Sequence, residues 1–438
     1  MKKYLALLLV LVMVLSLAAC ASKPAETTDE PEQTTTEPAP AEETKDEEPA
    51  PAEETKEEEP TEEPADNTEY AVAMITDYGD ITDQSFNQTT YEACKAFCED
   101  NGVEFSYFKP AGDNTADRVA MIEKAVDEGY NVIVMPGYAF GGAIVEAAPE
   151  FPDVKFIALD VAKGDLLEAG VAKAGESYDY NPDNWDLEKY VDMSNVYCAI
   201  YQEELCGYMA GYAAVKLGYK SLGFLGGMAV PAVIRYGYGF VQGVDAAAAD
   251  LGLSDVTVKY VYGGQFFGDA DITAVMDTWY AGGTEVVFAC GGGIYTSAVD
   301  AAKKANAKVI GVDVDQAGVI AKYAGVDGMT VTSAMKGLYP ATYDTLTDVI
   351  VNGNWEKYVG KIETLGLVSG TDPEANYVQI PMGDGTQWSD SFTQDDYKAM
   401  VKDMFDGKIT VSNNTSSDVS AADFATVITV DDQGSIKG

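Results

Sequence analysis

From Glu69 onward the chain alternates short apolar runs with amphipathic stretches, and it does so twice in the same order. Runs at 71–75, 104–108, 132–135 and 156–159 read as buried strands, separated by helices predicted over 85–99, 116–128 and 141–148. In the first of these helices Phe86, Thr90, Ala93, Cys94 and Phe97 fall near one face at helical spacing. The pattern then restarts. Helices over 202–217, 233–250, 270–280 and 296–305 alternate with strands at 222–225, 257–261, 285–289 and 308–312. Apolar runs this short between helices predict parallel sheets covered on both faces, an α/β chain of two open-sheet lobes. Ligands of open α/β sheets sit beyond the carboxyl ends of the strands. Two such sheets facing one another would bring both sets of strand-end loops to one cleft.

The strand ends carry the residues such a cleft would use. Ile75 runs into Thr76-Asp77-Tyr78-Gly79-Asp80, and Met135 into Pro136-Gly137-Tyr138. Ala289 leads to Cys290-Gly291-Gly292-Gly293, and Val312 to Asp313-Val314-Asp315-Gln316. Glycine lets backbone approach a ligand closely. Tight βα turns favour glycine and aspartate for their own reasons, so each loop taken alone has two readings. Recurrence at the same topological place in both halves is what favours a ligand cleft.

The first twenty residues place the chain in a cell. Lys2-Lys3, an apolar run from Tyr4 to Leu17 and then Ala18-Ala19-Cys20 read as an export signal, too short for a bilayer span of about 20 residues. The small residues before Cys20 resemble the lipobox of bacterial lipoproteins, in which the cysteine is lipidated and becomes the mature N-terminus. Residues 21–68 are almost entirely Ala, Thr, Glu, Pro, Asp and Lys and cannot build a core. They read as a tether, reaching from about 40 Å as a flexible coil to roughly 160 Å drawn out.

Composition narrows the chemistry. The net charge of −44 argues against nucleic acid as a partner. With no histidine among 438 residues, Ser-His-Asp and Cys-His nucleophiles and His-containing zinc sites are impossible. Beyond Cys20 there are Cys94, Cys98, Cys198, Cys206 and Cys290, an odd number without CxxC spacing. They read as buried small apolar side chains, with one structural disulfide as the alternative. No catalytic residue, metal site or cofactor is expected, and the chain does not read as an enzyme.

Several motifs resemble those of one family. Thr82-Asp83-Gln84-Ser85-Phe86-Asn87-Gln88 resembles the D-x-S-F-N-Q signature of the basic membrane protein family, the purine nucleoside receptor A-like substrate-binding lipoproteins. Leu222-Gly223-Phe224-Leu225-Gly226-Gly227, Tyr236, Gly239-Phe240 and Gly243 agree with it. So do Gly311-Val312-Asp313-Val314-Asp315-Gln316 and Thr332-Ser333-Ala334-Met335-Lys336. The resemblance runs in order over roughly 69–360. It implies a type I periplasmic-binding-protein fold, two lobes with a three-crossover hinge. It also implies a purine nucleoside ligand, a permease of the ABC type as partner, and a cell-membrane location through Cys20.

The resemblance also implies site residues. Phe86 and Tyr236, or Phe240 in its place, would stack on the base. Asp313, or Asp315, would take the ribose with Lys336. The residues themselves add Ser85 and Asn87 at the first helical turn, Ser85 and Asp83 as helix caps or ligand contacts, and Tyr138 and Gly292 at the strand ends. The implied organisation is a first lobe at 69–197 completed by about 334–380, and a second at 198–333 completed by part of 381–438. Residues 161–195 show no regular pattern and read as an insertion. The tail carries a helix near 394–405 and would return toward the hinge. Other readings remain for the same residues: a sugar or autoinducer-like solute, a carboxylate-dependent nucleoside hydrolase, or a surface sensor or adhesin.

Overall fold

The computed structural model describes residues 69–437; the Cys20 and tether readings lie outside them. In chain order the first lobe comprises β1 (Ala71–Ile75), α1 (Phe86–Asn101), β2 (Glu104–Phe108), α2 (Thr115–Asp127), β3 (Val132–Pro136), α3 (Gly141–Ala147), β4 (Lys155–Leu159), α4 (Lys163–Lys173) and β5 (Val196–Tyr201). The second takes α5 (Glu203–Lys216), β6 (Ser221–Gly226), α6 (Pro231–Leu251), β7 (Thr257–Tyr262), α7 (Ala270–Ala281), β8 (Val286–Cys290), α8 (Tyr295–Ala305), β9 (Lys308–Asp313), α9 (Ala317–Ala324) and β10 (Thr330–Lys336). The chain then returns to the first lobe with α10 (Leu338–Leu346) and β11 (Ile362–Leu365). It crosses once more to add β12 (Val378–Gln379), α11 (Gln394–Phe405) and β13 (Thr429–Ser435) to the second.

The sheet orders are β11-β5-β4-β3-β1-β2 and β12-β10-β9-β8-β6-β7-β13. All pairings are parallel except β10 with β12. Every residue of β3 and β8 is buried, as central strands covered on both faces must be. The chain crosses between lobes after β5, after β10 and after β11, so the three crossings gather at one side of both sheets.

Helices α5 and α6 set the second lobe's site-bearing face. Glycines let them touch backbone to backbone: a Cβ at Gly207 would lie 2.3 Å from the Tyr236 carbonyl oxygen, and one at Gly239 2.1 Å from that of Glu204. The Gly239-Phe240…Gly243 pattern is therefore a helix-packing device. It fixes Glu203, Arg235 and Tyr236 relative to one another.

Four sequence expectations change. A lobe boundary at 197/198 would cut β5, which belongs to the first sheet throughout. β10 lies in the second sheet, so the return to the first lobe begins at α10, where Tyr343 meets Phe97 of α1 edge-on at 5.7 Å. Residues 161–195 open with α4, whose buried Leu166, Leu167, Gly170 and Val171 form one stripe. Its two glycines, Gly164 and Gly170, weaken the helical signal. Gly170 is needed because a Cβ there would lie 2.8 Å from the Tyr190 carbonyl oxygen of the returning chain. Finally, the tail passes the hinge through β11 and β12, but its end does not return there. α11 packs on α5 through Tyr397, whose hydroxyl reaches the Met209 sulfur at 3.7 Å, and β13 closes the edge of the second sheet farthest from the crossings. Cys94, Cys98, Cys198, Cys206 and Cys290 are buried and unpaired, as small core side chains are.

Candidate functional site

The carboxyl ends of β1, β2, β3, β4, β6, β7, β8, β9 and β10, or the loops that follow them, meet at a cavity of about 400 Å³ between the sheets. Phe86, Asn87 and Tyr138 line it from the first lobe; Tyr236, Gly292, Asp313 and Lys336 line it from the second. These seven residues span some 250 positions of sequence and share one cleft because the fold brings strand ends together.

Lys336, the last residue of β10, is the hub. Its ammonium bonds the Asp160 carboxylate and lies 3.8 Å from Asp313 and 3.6 Å from Glu203. It also lies 4.6 Å from the centroid of the Phe86 ring, 5.3 Å from Tyr201 and 5.7 Å from Tyr236, distances at which ring faces attract a cation. Burial alone would depress its pKa, but Asp160, Asp313 and Glu203 together hold it above the ordinary lysine value. It is a fixed positive charge at any physiological pH.

Asp313 occupies the left-handed region at φ 64°, which turns its carboxylate off the end of β9. Ser85 Oγ donates to its Oδ2 at 2.5 Å and the Tyr236 hydroxyl to its Oδ1 at 3.2 Å. Burial pushes its pKa up, while Lys336 and these donors pull the other way. Asp160 stands at the matching place in the first lobe, one residue past β4, with φ 61°. Its Oδ2 accepts from Lys336, and its buried Oδ1 has no partner within the protein. Asn87 Oδ1 is likewise buried without a protein partner. Both residues line the cavity. A buried polar atom left unpaired costs about 1–3 kcal/mol, so each is suited to a ligand donor.

Glu203 closes the back of the cluster. Arg235 Nε donates to its Oε2 at 2.6 Å, and burial still raises the Glu203 pKa against the pull of Arg235 and Lys336.

The helix cap is Asp83 alone. Its carboxylate accepts from the backbone N–H groups of Ser85, Asn87 and Gln88 at 3.0, 2.9 and 3.1 Å, and from Asn87 Nδ2 at 3.2 Å. Burial lifts its pKa to about 6 despite those donors. Ser85 makes no capping bond; its hydroxyl is spent on Asp313 across the lobes. Asp315, the alternative to Asp313, is exposed and caps α9 through the Ala317 N–H at 3.0 Å, outside the cavity. Strand alternation explains this: residues two apart share a face within a strand, but β9 ends at Asp313 and the chain turns there. Phe240 is fully buried against Phe224 and Phe288 and does not line the cavity; Tyr236 does.

Several lining residues went unselected as ligand contacts by sequence reasoning. Asp77, Tyr78, Asp80, Gly137, Cys290, Gly291 and Gly293 stand in the strand-end loops noted above. Asp160 follows β4 in a loop without a turn motif, and Phe266 and Phe267, although flanked by Gly263-Gly264 and Gly268-Asp269, read as ordinary apolar residues of a turn. The glycines of the second lobe turn out to seat Phe266: a Cβ at Gly227 would lie 2.4 Å from its ring, and Gly291, at φ 146°, would place one at 2.8 Å. Hydrogen bonds cross the cleft from Gln316 Nε2 to the Gln84 carbonyl at 3.1 Å, and from the Tyr78 and Tyr138 hydroxyls to the Met228 sulfur at 3.9 and 3.6 Å. The lobes are thus closed on one another.

Two open α/β lobes, three chain crossings and a closed cavity at the strand ends define the two-lobed solute-binding proteins. The solute-binding protein of an ABC transporter system from Aeropyrum pernix K1 shares the fold, with a TM-score of 0.56 at 19% identity over 78% of this chain and 87% of that one. A counterpart from Conexibacter woesei gives a TM-score of 0.55 at 19% identity, over 78% of this chain and 99% of that one. Residues 70–371 match the family of ABC transporter substrate-binding proteins described as PnrA-like, and the chain belongs to that family. An ABC transporter nucleoside-binding protein, BmpA, of Lactococcus lactis is 27% identical, covering 78% of this chain and 89% of its own length. Basic membrane protein B of Borreliella burgdorferi is 25% identical over 70% of this chain and 83% of its own. A lipoprotein of Pyrococcus abyssi is 26% identical over 70% and 69%. No helix among the described residues is long and apolar enough to cross a membrane.

Proposed function

We propose that this substrate-binding protein captures purine nucleosides in the interlobe cavity and delivers them to an ABC-type importer, held at the outer face of the cell membrane by a lipid on Cys20. The observation that carries the reading is the convergence of Phe86, Asp313 and Lys336 on one cavity of about 400 Å³, within the roughly 300–1,000 Å³ typical of small-molecule sites. Purine faces are flat and apolar, and an aromatic contact adds about 0.5–1.5 kcal/mol beyond area burial. Phe86 and Tyr236 supply rings from the two lobes. Ribose presents a vicinal diol; the ionised Asp313 accepts its hydroxyl protons, and Lys336 donates to its oxygens. Asn87 and Asp160 each bring a buried oxygen with unused acceptor capacity, which suits N–H donors of a purine edge.

Ligand polar groups are fully satisfied only when both lobes contribute, so binding favours the closed arrangement. The 27% identity to a nucleoside-binding protein supports the same ligand class. The test is mass analysis of solute released on denaturing protein expressed without Cys20, followed by thermal denaturation with adenosine, guanosine and inosine. A purine nucleoside should be released, and ligand at 100 times Kd should stabilise by about 2.7 kcal/mol. Failure of all three to stabilise would refute the reading.

A further inference from the structure

The loop that carries Phe266 and Phe267 into the cavity is held from behind by a segment outside the 70–371 family match. β13 pairs with β7 in parallel, from Thr429 beside Thr257 to Ser435 beside Tyr262, and the Ile436 N–H then donates to the Tyr262 carbonyl at 2.8 Å. This ladder carries Lys437 to the start of the loop that follows β7. Lys437 Nζ bonds Asp269 and donates to Gln265 Oε1 at 2.8 Å. Gln265 Nε2 in turn donates to the Phe267 carbonyl at 2.9 Å and to Asp269 at 3.0 Å. The packing is tight enough that a Cβ at Gly264 would lie 2.8 Å from the Lys437 side chain. On its other side the loop is stitched to the glycine turn after β8 by the Gly293 N–H, which donates to the Phe266 carbonyl at 2.8 Å.

We propose that β13 and Lys437 form a positioning clamp. They hold residues 263–269 so that Phe266 and Phe267 stand as the second lobe's aromatic wall, and thereby set affinity for a flat ligand. Lys437 touches no cavity surface and is a positioning residue, not a binding one. Phe267 is 55% exposed and has little packing of its own to fix it, so the backbone grip through Gln265 decides where the pair sits. Phe86 in lobe 1 and Tyr236 in lobe 2 are fixed by the helices that carry them; Phe266 and Phe267 ride on a loop and need an external brace.

The clamp rests on the nucleoside reading for its effect on affinity, but not for its effect on the loop. The experiment compares the mature domain with its Lys437→Ala and Lys437→Arg variants by amide hydrogen exchange at 263–269 and by inosine titration. Lys437→Ala should speed exchange in that loop without changing exchange in β7, weaken inosine about 10-fold, and leave the melting temperature unchanged. Lys437→Arg should restore both. In a Phe266→Ala/Phe267→Ala background, Lys437→Ala should cost no further affinity, because coupled residues act as one. Wild-type exchange in Lys437→Ala, or a rise spread over the whole second lobe, would overturn the clamp. If wild-type protein ignores inosine, the nucleoside reading fails and the exchange result alone decides the clamp.

Discussion

The two walls of the cavity start from the same device and then diverge. Each lobe ends its fourth strand with an aspartate in the left-handed conformation, Asp160 at φ 61° and Asp313 at φ 64°, and both carboxylates reach Lys336. For a residue with a Cβ that conformation costs about 1–2 kcal/mol, so each lobe holds backbone strain where function needs a side chain re-aimed. Beyond that pair, the first lobe builds its wall from side chains fixed by a helix start: Asp83 caps α1 and locks Phe86 and Asn87 in register. The second builds its wall from glycines that make room for the Phe266 ring. Asp313 already accepts one protein donor on each oxygen, from Ser85 and Tyr236, and faces Lys336, whereas Asp160 has an oxygen with no protein partner. The comparison teaches that the second lobe preorganises charge, and the first lobe offers open acceptors.

Substitutions on the two sides should separate these roles. The largest effect belongs to Asp313→Asn, which tolerates the left-handed backbone but removes the charge facing Lys336. Nucleoside affinity should fall roughly 100-fold, the scale of a lost charge-assisted hydrogen bond of about 1.5–3 kcal/mol. Asp315→Ala, which removes only an exposed cap, should leave affinity within about twofold. Equal losses by calorimetry would mean that the wrong carboxylate has been assigned. Phe86→Ala should come next, weakening binding about 10-fold through lost stacking and burial with the cap at Asp83 intact. Gly291→Ala adds a Cβ at φ 146° against Phe266; it should displace that ring and cost about fivefold in affinity, on the order of 1 kcal/mol. A neutral outcome would show that the glycines do not seat the ring.

How much of this was legible in the sequence follows from where the signals live. Apolar runs such as 132–135 and 286–289 announce central strands because both faces are covered, and the alternation alone indicates two α/β lobes. α4 was hidden by Gly164 and Gly170, the second of which is required because Tyr190 passes so close. Phe86, Asn87, Asp313 and Lys336 were reachable through motif resemblance. Asp160 was not, since a lone aspartate after a strand has no spacing to betray it. Asp313 could be told from Asp315 only once the end of β9 was located. Ser85 carried a helix-cap signature that Asp83 satisfies in its place, freeing the serine for a contact 228 residues away.

The smallest expected effect concerns pH and again distinguishes the lobes. Burial lifts Asp165 of α4 to about 7, above its ordinary 3.8, although the Ala162 N–H and Arg235 oppose this. A carboxyl raised in the folded state binds its proton more tightly there than when unfolded. Its stabilising contribution is therefore full below about pH 4 and is lost as pH rises through 7. Asp165→Asn should remove that part of the slope, so the variant should melt a few degrees above wild type at pH 8 and match it near pH 4. Identical melting of both proteins across this range would show that Asp165 carries no raised pKa. Asp83, lifted to about 6, adds a component of the same sign.

The central claim is that one solute is gripped by both walls together, its flat ring by the aromatics and its diol by the Asp313–Lys336 pair. Calorimetric titration of the mature domain with inosine and with the free base hypoxanthine tests it most directly. The account predicts one saturable site for inosine and binding at least about 100-fold weaker for the base, since the charge-assisted bonds to the diol are missing. Equal affinity for base and nucleoside, or no heat with either, would contradict it.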